Sequence, residues 1–431
     1  MQNLLSSTIH ETMNDWRTET ENFVVRERYL DAIEAFIDRP VVKVLRGMRR
    51  VGKSVIMKML IQRLRANGVP AANILYINKE SLEFDALNDY RDLYRYAVDY
   101  FNADGAPVPG RRYILIDEIQ EIEGWERAAA SFLADGLGDV VISGSNAGLL
   151  SSELATLISG RYVEIPVYPL TFREFLTFRK ARKTNADPAA DTETEFTNYL
   201  KYGGLPGIHQ LPLSDEAVFS YLNSILNTVL YKDVITRHKI RDASIFDKLV
   251  RYLFDNVGNI TTAKKIADYF KSQRIKTSVD TILNYIAYIE AALLIDKAPR
   301  YDIKGKRLLE FSDKVFLNDI GLRHGLIGYR GKDASGLLEN IVFKELQSRG
   351  YKVSIGVIEQ MEIDFIAEKQ NDRKYVQVCS SLGSDALIER EFGNLEKIRD
   401  NYEKIVISMD RVFPAERNGI KHQYLIDFLL E

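Results

Sequence analysis

Cysteine is nearly absent from this chain. Cys379 is the only one among 431 residues, so no intrachain disulfide can form and nothing asks for an oxidising compartment. No apolar run approaches the roughly 20 residues that a helix needs to span a bilayer. The first residues carry Glu11, Asp15, Glu19 and Glu21 where a signal peptide would have its apolar core. A cytoplasmic protein without membrane contact is the expectation. Strong charge of one sign is missing too. With 58 Lys and Arg against 61 Asp and Glu, the net charge is −3, so any basic surface for nucleic acid must be local. The 46% hydrophobic and 28% charged residues are ordinary for a globular protein, and the length suggests roughly two to four domains.

Against that plain background, residues 41–54 stand out. Val41-Val-Lys-Val-Leu45 reads as a strand, and Gly47, Met48, Arg49, Arg50, Val51, Gly52, Lys53 and Ser54 follow as G-x-x-x-x-G-K-S, the phosphate-binding P-loop pattern. Such a loop curls backbone N–H groups around nucleotide phosphates. Gly47 and Gly52 are expected to permit the curl through positive φ angles. Lys53 is expected to reach the β- and γ-phosphates, and the Ser54 hydroxyl to ligate Mg²⁺. A helix from about Ser54 to Arg65, with Val55, Ile56, Met59, Leu60 and Leu64 near a 3.6 period, would point its positive end at the phosphates. Arg49 and Arg50 are expected on the solvent or partner side of the loop.

Short apolar runs recur downstream at Ile74–Asn78, Tyr113–Asp117, Val140–Asn146 and Tyr162–Pro166, with longer helical segments between them. This alternation predicts a parallel sheet buried on both faces. Asp117 and Glu118 close the second of these runs in the manner of a Walker B motif. Asp117 is the candidate Mg²⁺ ligand and Glu118 the candidate general base for an attacking water. Asn146, at the end of the next run, is the candidate γ-phosphate sensor, with Ser145 second. Arg161, just after Gly160, is the candidate arginine sensor in cis or finger in trans.

These residues, together with Ser143-Gly-Ser-Asn146, Ser159-Gly-Arg161 and Tyr168-Pro-Leu-Thr-Phe-Arg-Glu-Phe175, resemble a family of prokaryotic, archaeal-type ATPases of the AAA superfamily. The later stretches Tyr202-Gly-Gly-Leu-Pro206, Leu230-Tyr-Lys-Asp233 and Leu338-Glu-Asn340 resemble it as well. The resemblance implies binding of ATP with Mg²⁺ and its hydrolysis. ATP over GTP rests on the resemblance alone, since no base-reading motif is visible.

Further on, residues 245–310 read as a winged helix. Thr262 and Ser278 offer helix caps, and Val279, Ile282, Leu283, Ile286 and Ile289 form one apolar stripe. The wing carries Lys297, Arg300, Lys304, Lys306 and Arg307, a candidate DNA-phosphate surface. Packing of this region against the ATPase core as a lid is the competing reading. From residue 335 the order helix, strand, strand, strand resembles the PD-(D/E)xK nuclease core. Glu339 and Asp364 match its first two acids, but Gln377 and Cys379 stand where that pattern wants Glu and Lys. Without those groups a divalent metal is poorly held, so a degenerate fold kept for binding or packing is expected.

The expected fold is α/β: a P-loop NTPase parallel sheet with helices on both faces, followed by a winged-helix region and a C-terminal nuclease-like α/β domain. The expected divisions are a helical lead-in at 1–40, the ATPase core at 41–180, a helical linker or lid at 181–243, a winged helix at 244–325 and the degenerate domain at 335–431. The expected function is a Mg²⁺-dependent ATPase working as a nucleotide-driven switch, coupled to DNA, to a protein partner or to further copies of itself. A non-hydrolysing DNA-binding regulator and an ATP-controlled endonuclease are the less favoured alternatives.

Overall fold

The apolar runs form strands because each is flanked by turn-forming residues and is too short for a helix. In the computed structural model, which describes residues 23–103, 108–150, 157–158, 160–182, 191–331 and 334–431, the chain divides into two compact units at Val167/Tyr168. Residues 1–22 of the expected lead-in, Ser159 and residues 183–190 of the expected linker lie outside the described residues.

The first unit is a five-stranded sheet in the order β2-β3-β4-β1-β5. Its strands are β1 (Val42–Arg46), β2 (Ile74–Asn78), β3 (Tyr113–Asp117), β4 (Asp139–Gly144) and β5 (Tyr162–Pro166), and every neighbouring pair is parallel. Before it, α1 (Glu27–Glu34) buries Tyr29, Leu30 and Ile33. Val44, Ile77, Ile116 and Ile142 project to one face, into a core with Leu93 of α3 (Tyr90–Asn102) and Trp125 and Phe132 of α4 (Trp125–Ala134). The opposite face is covered by α2 (Lys53–Ala66), which buries Ile56, Met57, Leu60, Ile61 and Leu64 and packs against β3 and β4. One charged residue interrupts β1. Lys43 is fully buried and pairs with the Asp139 carboxylate, and burial lowers its pKa to about 8.

The second unit opens with α5 (Phe172–Arg182), α6 (Thr192–Tyr202) and α7 (Asp215–Thr228). The Leu230-Tyr-Lys-Asp233 stretch falls in a π-helical continuation of α7, Val229–Thr236. Then come α8 (Ala243–Asp255), β6 (Ile260–Thr261), α9 (Ala263–Ser272), α10 (Val279–Ala291), β7 (Ile295–Asp302) and β8 (Arg307–Leu317). Thr262 and Ser278 cap α9 and α10 through the N–H groups of Lys265 and Thr281. The expected apolar stripe on α10 is split. Ile282, Ile286 and Ile289 are buried, whereas Val279 and Leu283 are exposed. The C-terminal part comprises α11 (Ile320–Ile327), α12 (Ala334–Ser348), β9 (Lys352–Ile358), β10 (Met361–Lys369), β11 (Asp372–Cys379), α13 (Asp385–Glu396), β12 (Glu403–Ser408), β13 (Glu416–Arg417), β14 (Ile420–Tyr424) and α14 (Leu425–Leu430).

The nine strands among the described residues of this unit share one mixed sheet, in the order β13-β14-β12-β11-β10-β9-β7-β8-β6. The seam is a parallel pairing of Arg300, Tyr301 and Asp302 on β7 with Ile355, Gly356 and Val357 on β9. The sheet therefore runs without a break from the region expected as a winged helix into the region expected as a separate α/β domain. Pairing satisfies the backbone groups that a free β7 edge would leave open.

The Gly-Gly-Leu-Pro turn has a physical reason. The buried Asp319 carboxylate accepts the N–H groups of Gly204 at 2.7 Å and Leu322 at 3.2 Å. A Cβ on Gly203, at φ 76°, would run into that carboxylate. Burial raises the Asp319 pKa to about 6, and its backbone donors act against the rise.

His209 lies buried against Phe175 and Phe178, and neither ring nitrogen meets a hydrogen-bond partner among the described residues. Burial pushes its pKa down to about 3, helped by the nearby Arg179. The unfolded chain binds a proton on this imidazole below pH 6.5 and the folded chain does not, so stability is lost as the pH falls from 6.5 toward 3. The expected loss is about 1.4 kcal/mol per pH unit in that window. Denaturant titrations at pH 7 and pH 5.5 check it: His209→Phe should remove this share of the acid sensitivity.

Candidate active site

Parallel strands leave their carboxyl ends on one side of a sheet, and in open α/β folds that side holds the ligand. β1 delivers the G-x-x-x-x-G-K-S loop there. Gly47 is required by a close approach. Its N–H donates to the Gly144 carbonyl at 3.3 Å, and a Cβ would run into the carbonyl oxygen of Val167. It does not have a positive φ, contrary to the expectation. The left-handed positions are Arg50, at φ 66°, and Gly52, at φ 99°. Gly52 caps α2 without a side-chain acceptor, which leaves the first N–H groups of the helix open toward an anion. Met48 and Val51 are buried, and the Val51 carbonyl is tied to the Arg26 guanidinium at 3.0 Å. Arg50 is exposed as expected, but Arg49 is not: it is buried and bonded to Glu80 at 2.7 Å. Lys53 donates to the carbonyls of Gly47 at 2.9 Å and Met48 at 3.2 Å.

β3 sets its terminal Asp117 beside this loop. Asp117 is 1% exposed and accepts the Ser143 hydroxyl from β4, and Ser143 Oγ in turn accepts the Glu118 N–H at 3.2 Å. Burial raises the Asp117 pKa, with the Ser143 and Ser54 hydroxyls acting the other way. A serine hydroxyl and one carboxylate are hard oxygen donors of the kind Mg²⁺ takes alongside substrate phosphates, so Ser54 and Asp117 fit the metal expected there. Glu118 sits in the left-handed region at φ 55°, which turns its side chain toward Lys53 at 3.5 Å. Burial opposes its charged form. The Lys53 ammonium, the Gln120 amide, the Arg49 guanidinium and the Ser145 hydroxyl outweigh it, and Glu118 titrates below the usual carboxylate range.

Asn146 lies at the same end of the sheet, one residue past Ser145, half-buried and at the head of the turn Ala147–Leu150. Arg161 does not. Its carbonyl accepts the Val42 N–H at the start of β1, and its exposed side chain bonds back to the Ile158 carbonyl at 3.2 Å. That is a strand length, ~13 Å, from the loop. The expected cis sensor is thus at the wrong end of its own sheet.

Sequence reasoning gave Ser143 and Gln120 no role, though both stand in motifs that carry the resemblance, and it passed over Glu80. Ser143 had a signal, as a lone hydroxyl ending Val-Val-Ile, but Glu80 becomes relevant only once β2 lies next to β3. In the second unit it missed Lys314. The Lys314 ammonium lies 3.1 Å from Glu339, 2.7 Å from Glu362 and 4.0 Å from Asp364. It is buried, and although burial works against its charge, these carboxylates raise its pKa. Gln377 accepts the Asp364 N–H at 2.7 Å and donates to Glu391 at 2.8 Å. Cys379 is buried, with its thiol pushed up to about 12 by burial, and so is no nucleophile. Among the described residues no group of three or more His, Cys, Asp or Glu side chains is arranged to hold a metal ion. On the wing, Lys297 pairs with Glu290 at 2.6 Å and Lys304 with Glu359 at 2.5 Å, while Lys306 and Arg307 are exposed. No helix among the described residues is long and apolar enough to cross a membrane.

The fold and loop are those of a P-loop NTPase, and the AAA domain family matches residues 39–176. A domain of unknown function (DUF8612) matches residues 193–333. The chain is 38% identical over 410 residues to an uncharacterized protein of Haemophilus influenzae, covering 95% of this chain and 99% of that one, and it belongs to the same family. It is 29% identical over 366 residues to an uncharacterized protein of Methanocaldococcus jannaschii, covering 83% and 78%. The fold is similar to that of a Walker-type ATPase of Pyrococcus abyssi, with a TM-score of 0.54 at 15% identity over 72% of this chain and 97% of the other.

Two substitutions probe these contacts. Ser143→Ala leaves the buried Asp117 and the Glu118 N–H short of a partner and should cost about 1–3 kcal/mol in a denaturant titration. Lys314→Met leaves the half-buried Glu339, Glu362 and Asp364 without their cation and should cost about 1–3 kcal/mol, part of which Glu339→Gln in the same chain restores.

Proposed function

We propose that this protein binds ATP with Mg²⁺ and hydrolyses it, and that hydrolysis works as a switch. The observation that carries the reading is the convergence of Lys53, Ser54, Asp117 and Glu118 on the mouth of a loop with open helix N–H groups. Lys53 turns to the β- and γ-phosphates, Ser54 and Asp117 hold the metal, and Glu118 accepts the proton of the attacking water. Held by Ser54 and Asp117, Mg²⁺ would supply positive charge against the terminal phosphates. The backbones of Gly47, Met48, Arg49, Arg50, Val51 and Gly52 line the phosphates. Asn146 senses the γ-phosphate. Arg161 has a role only in trans, against a further copy of the chain, since its position in its own sheet is remote.

The order helix, strand, helix, helix, strand, strand over Ala243–Leu317 supports a winged helix. Support for DNA rests on the exposed, basic Lys306 and Arg307 of the wing, and α10 adds no Lys or Arg. The C-terminal part is read as a nuclease-like fold without a cleavage centre, with Gln377, Cys379 and the ammonium of Lys314 where a metal site would need further acids.

Lys53→Ala should abolish nucleotide affinity in a fluorescent-nucleotide titration. Glu118→Gln should retain binding and lower phosphate release by about 10²–10⁴-fold. Normal turnover in Glu118→Gln would remove it as the base. Adding duplex DNA to the wild-type assay tests the coupling: a rise in rate supports DNA as the partner, and no change favours a protein.

A further inference from the structure

The Glu118 carboxylate is held unequally. Its Oε2 accepts the Gln120 side-chain amide at 2.5 Å and the Ser145 hydroxyl at 3.0 Å. Its Oε1 faces the Lys53 ammonium at 3.5 Å. The two oxygens thus depend on different parts of the fold. Gln120 lies in the single turn Ile119–Glu121 after β3, and Ser145 directly follows β4, so both donors to Oε2 are anchored on strand ends. Lys53 opens α2 and lies among loop carbonyls, which it would leave for a phosphate.

Gln120 is placed for one job. Its amide packs so closely on Gly144 that a Cβ there would run into the Gln120 side-chain oxygen and the Leu149 side chain. That oxygen, Oε1 of Gln120, is buried and meets no donor among the described residues. Reversing the amide would set this oxygen against a carboxylate, so only the N–H₂ end can face Glu118. The side chain accepts an unsatisfied oxygen as the cost of aiming a donor at Oε2.

We propose that Gln120 is a positioning residue that, with Ser145, pins Oε2 of Glu118 while the departure of Lys53 toward a nucleotide phosphate frees Oε1 to accept the proton of the attacking water. The inference rests on the reading of Glu118 as the base. In the step it serves, the water oxygen bonds to the γ-phosphorus and the bond from that phosphorus to the bridging oxygen breaks. Its electron pair stays on ADP, and the water proton passes to Oε1. The base is thereby masked by the same ammonium that substrate must recruit.

The test compares the full-length wild type with Gln120→Met, a substitution of similar length without a donor. Measured are kcat, KM, the Kd of a fluorescent ATP analogue and the thermal midpoint. The expected result is a fall in kcat of roughly 10–100-fold, within the range of general-base contributions, with Kd within about two-fold of wild type. Glu118→Gln should in addition bind the analogue several-fold more tightly, since Lys53 then leaves a neutral partner. If Gln120→Met does not fold, Ser145→Ala removes the other donor and should show the same split between kcat and Kd. An unchanged kcat, or kcat and Kd worsening together with a lowered midpoint, overturns the positioning role while Glu118 remains the base. A wild type that never hydrolyses ATP overturns both readings at once.

Discussion

The rest of the first unit depends on the ammonium of Lys53 and the charge it neutralises. Glu118 is 6% exposed and Lys53 4%, and burial at that depth makes each charge depend on its partners. Each contact around them is supplied by a different element: loop carbonyls, the end of β3, the end of β4. The sheet therefore does more than support the loop. Its parallel order, β3 beside β4 beside β1, brings together groups that are far apart in the chain. A shift of register by one residue would send Ser143 to the other face and leave Asp117 buried without its hydroxyl.

How much of this was legible depended on the range of the interaction. The phosphate loop, the Asp117-Glu118 pair and the caps Thr262 and Ser278 are local patterns, and a chain reports local patterns faithfully. The reason for Gly47 was misread because the obstructing atom, the Val167 carbonyl, comes from a distant part of the chain. Arg161 looked near the site because it adjoins a strand, but direction along the strand decides which end it occupies. The partnership of Lys314 with Glu339, Glu362 and Asp364 could not be read at all, since nothing in a lone lysine on a strand announces carboxylates on a later helix and on another strand. The stripe on α10 shows the converse: period marks a face, and only packing decides how much of that face is covered.

The two units manage buried charge by the same device, a lysine ammonium among carboxylates. In the first, Lys53 has ready alternatives in the loop, and its contacts can be exchanged for a phosphate. In the second, Lys314 is enclosed by fixed side chains on α12 and β10, and its high pKa keeps it charged over the physiological range. One arrangement is suited to a cycle and the other to permanence. The residue type is identical, and the mobility of its partners makes the difference.

The short seam between β7 and β9 bears on how this protein can be cut. Only three residues on each strand pair there, yet they cover the flank of β7. A fragment ending before α12 would present that flank bare, with a row of open amide and carbonyl groups beside the apolar Ile295 and Ala298. Such an edge invites pairing with any extended chain. The last hundred or so residues thus close an edge that the middle of the molecule would otherwise leave open.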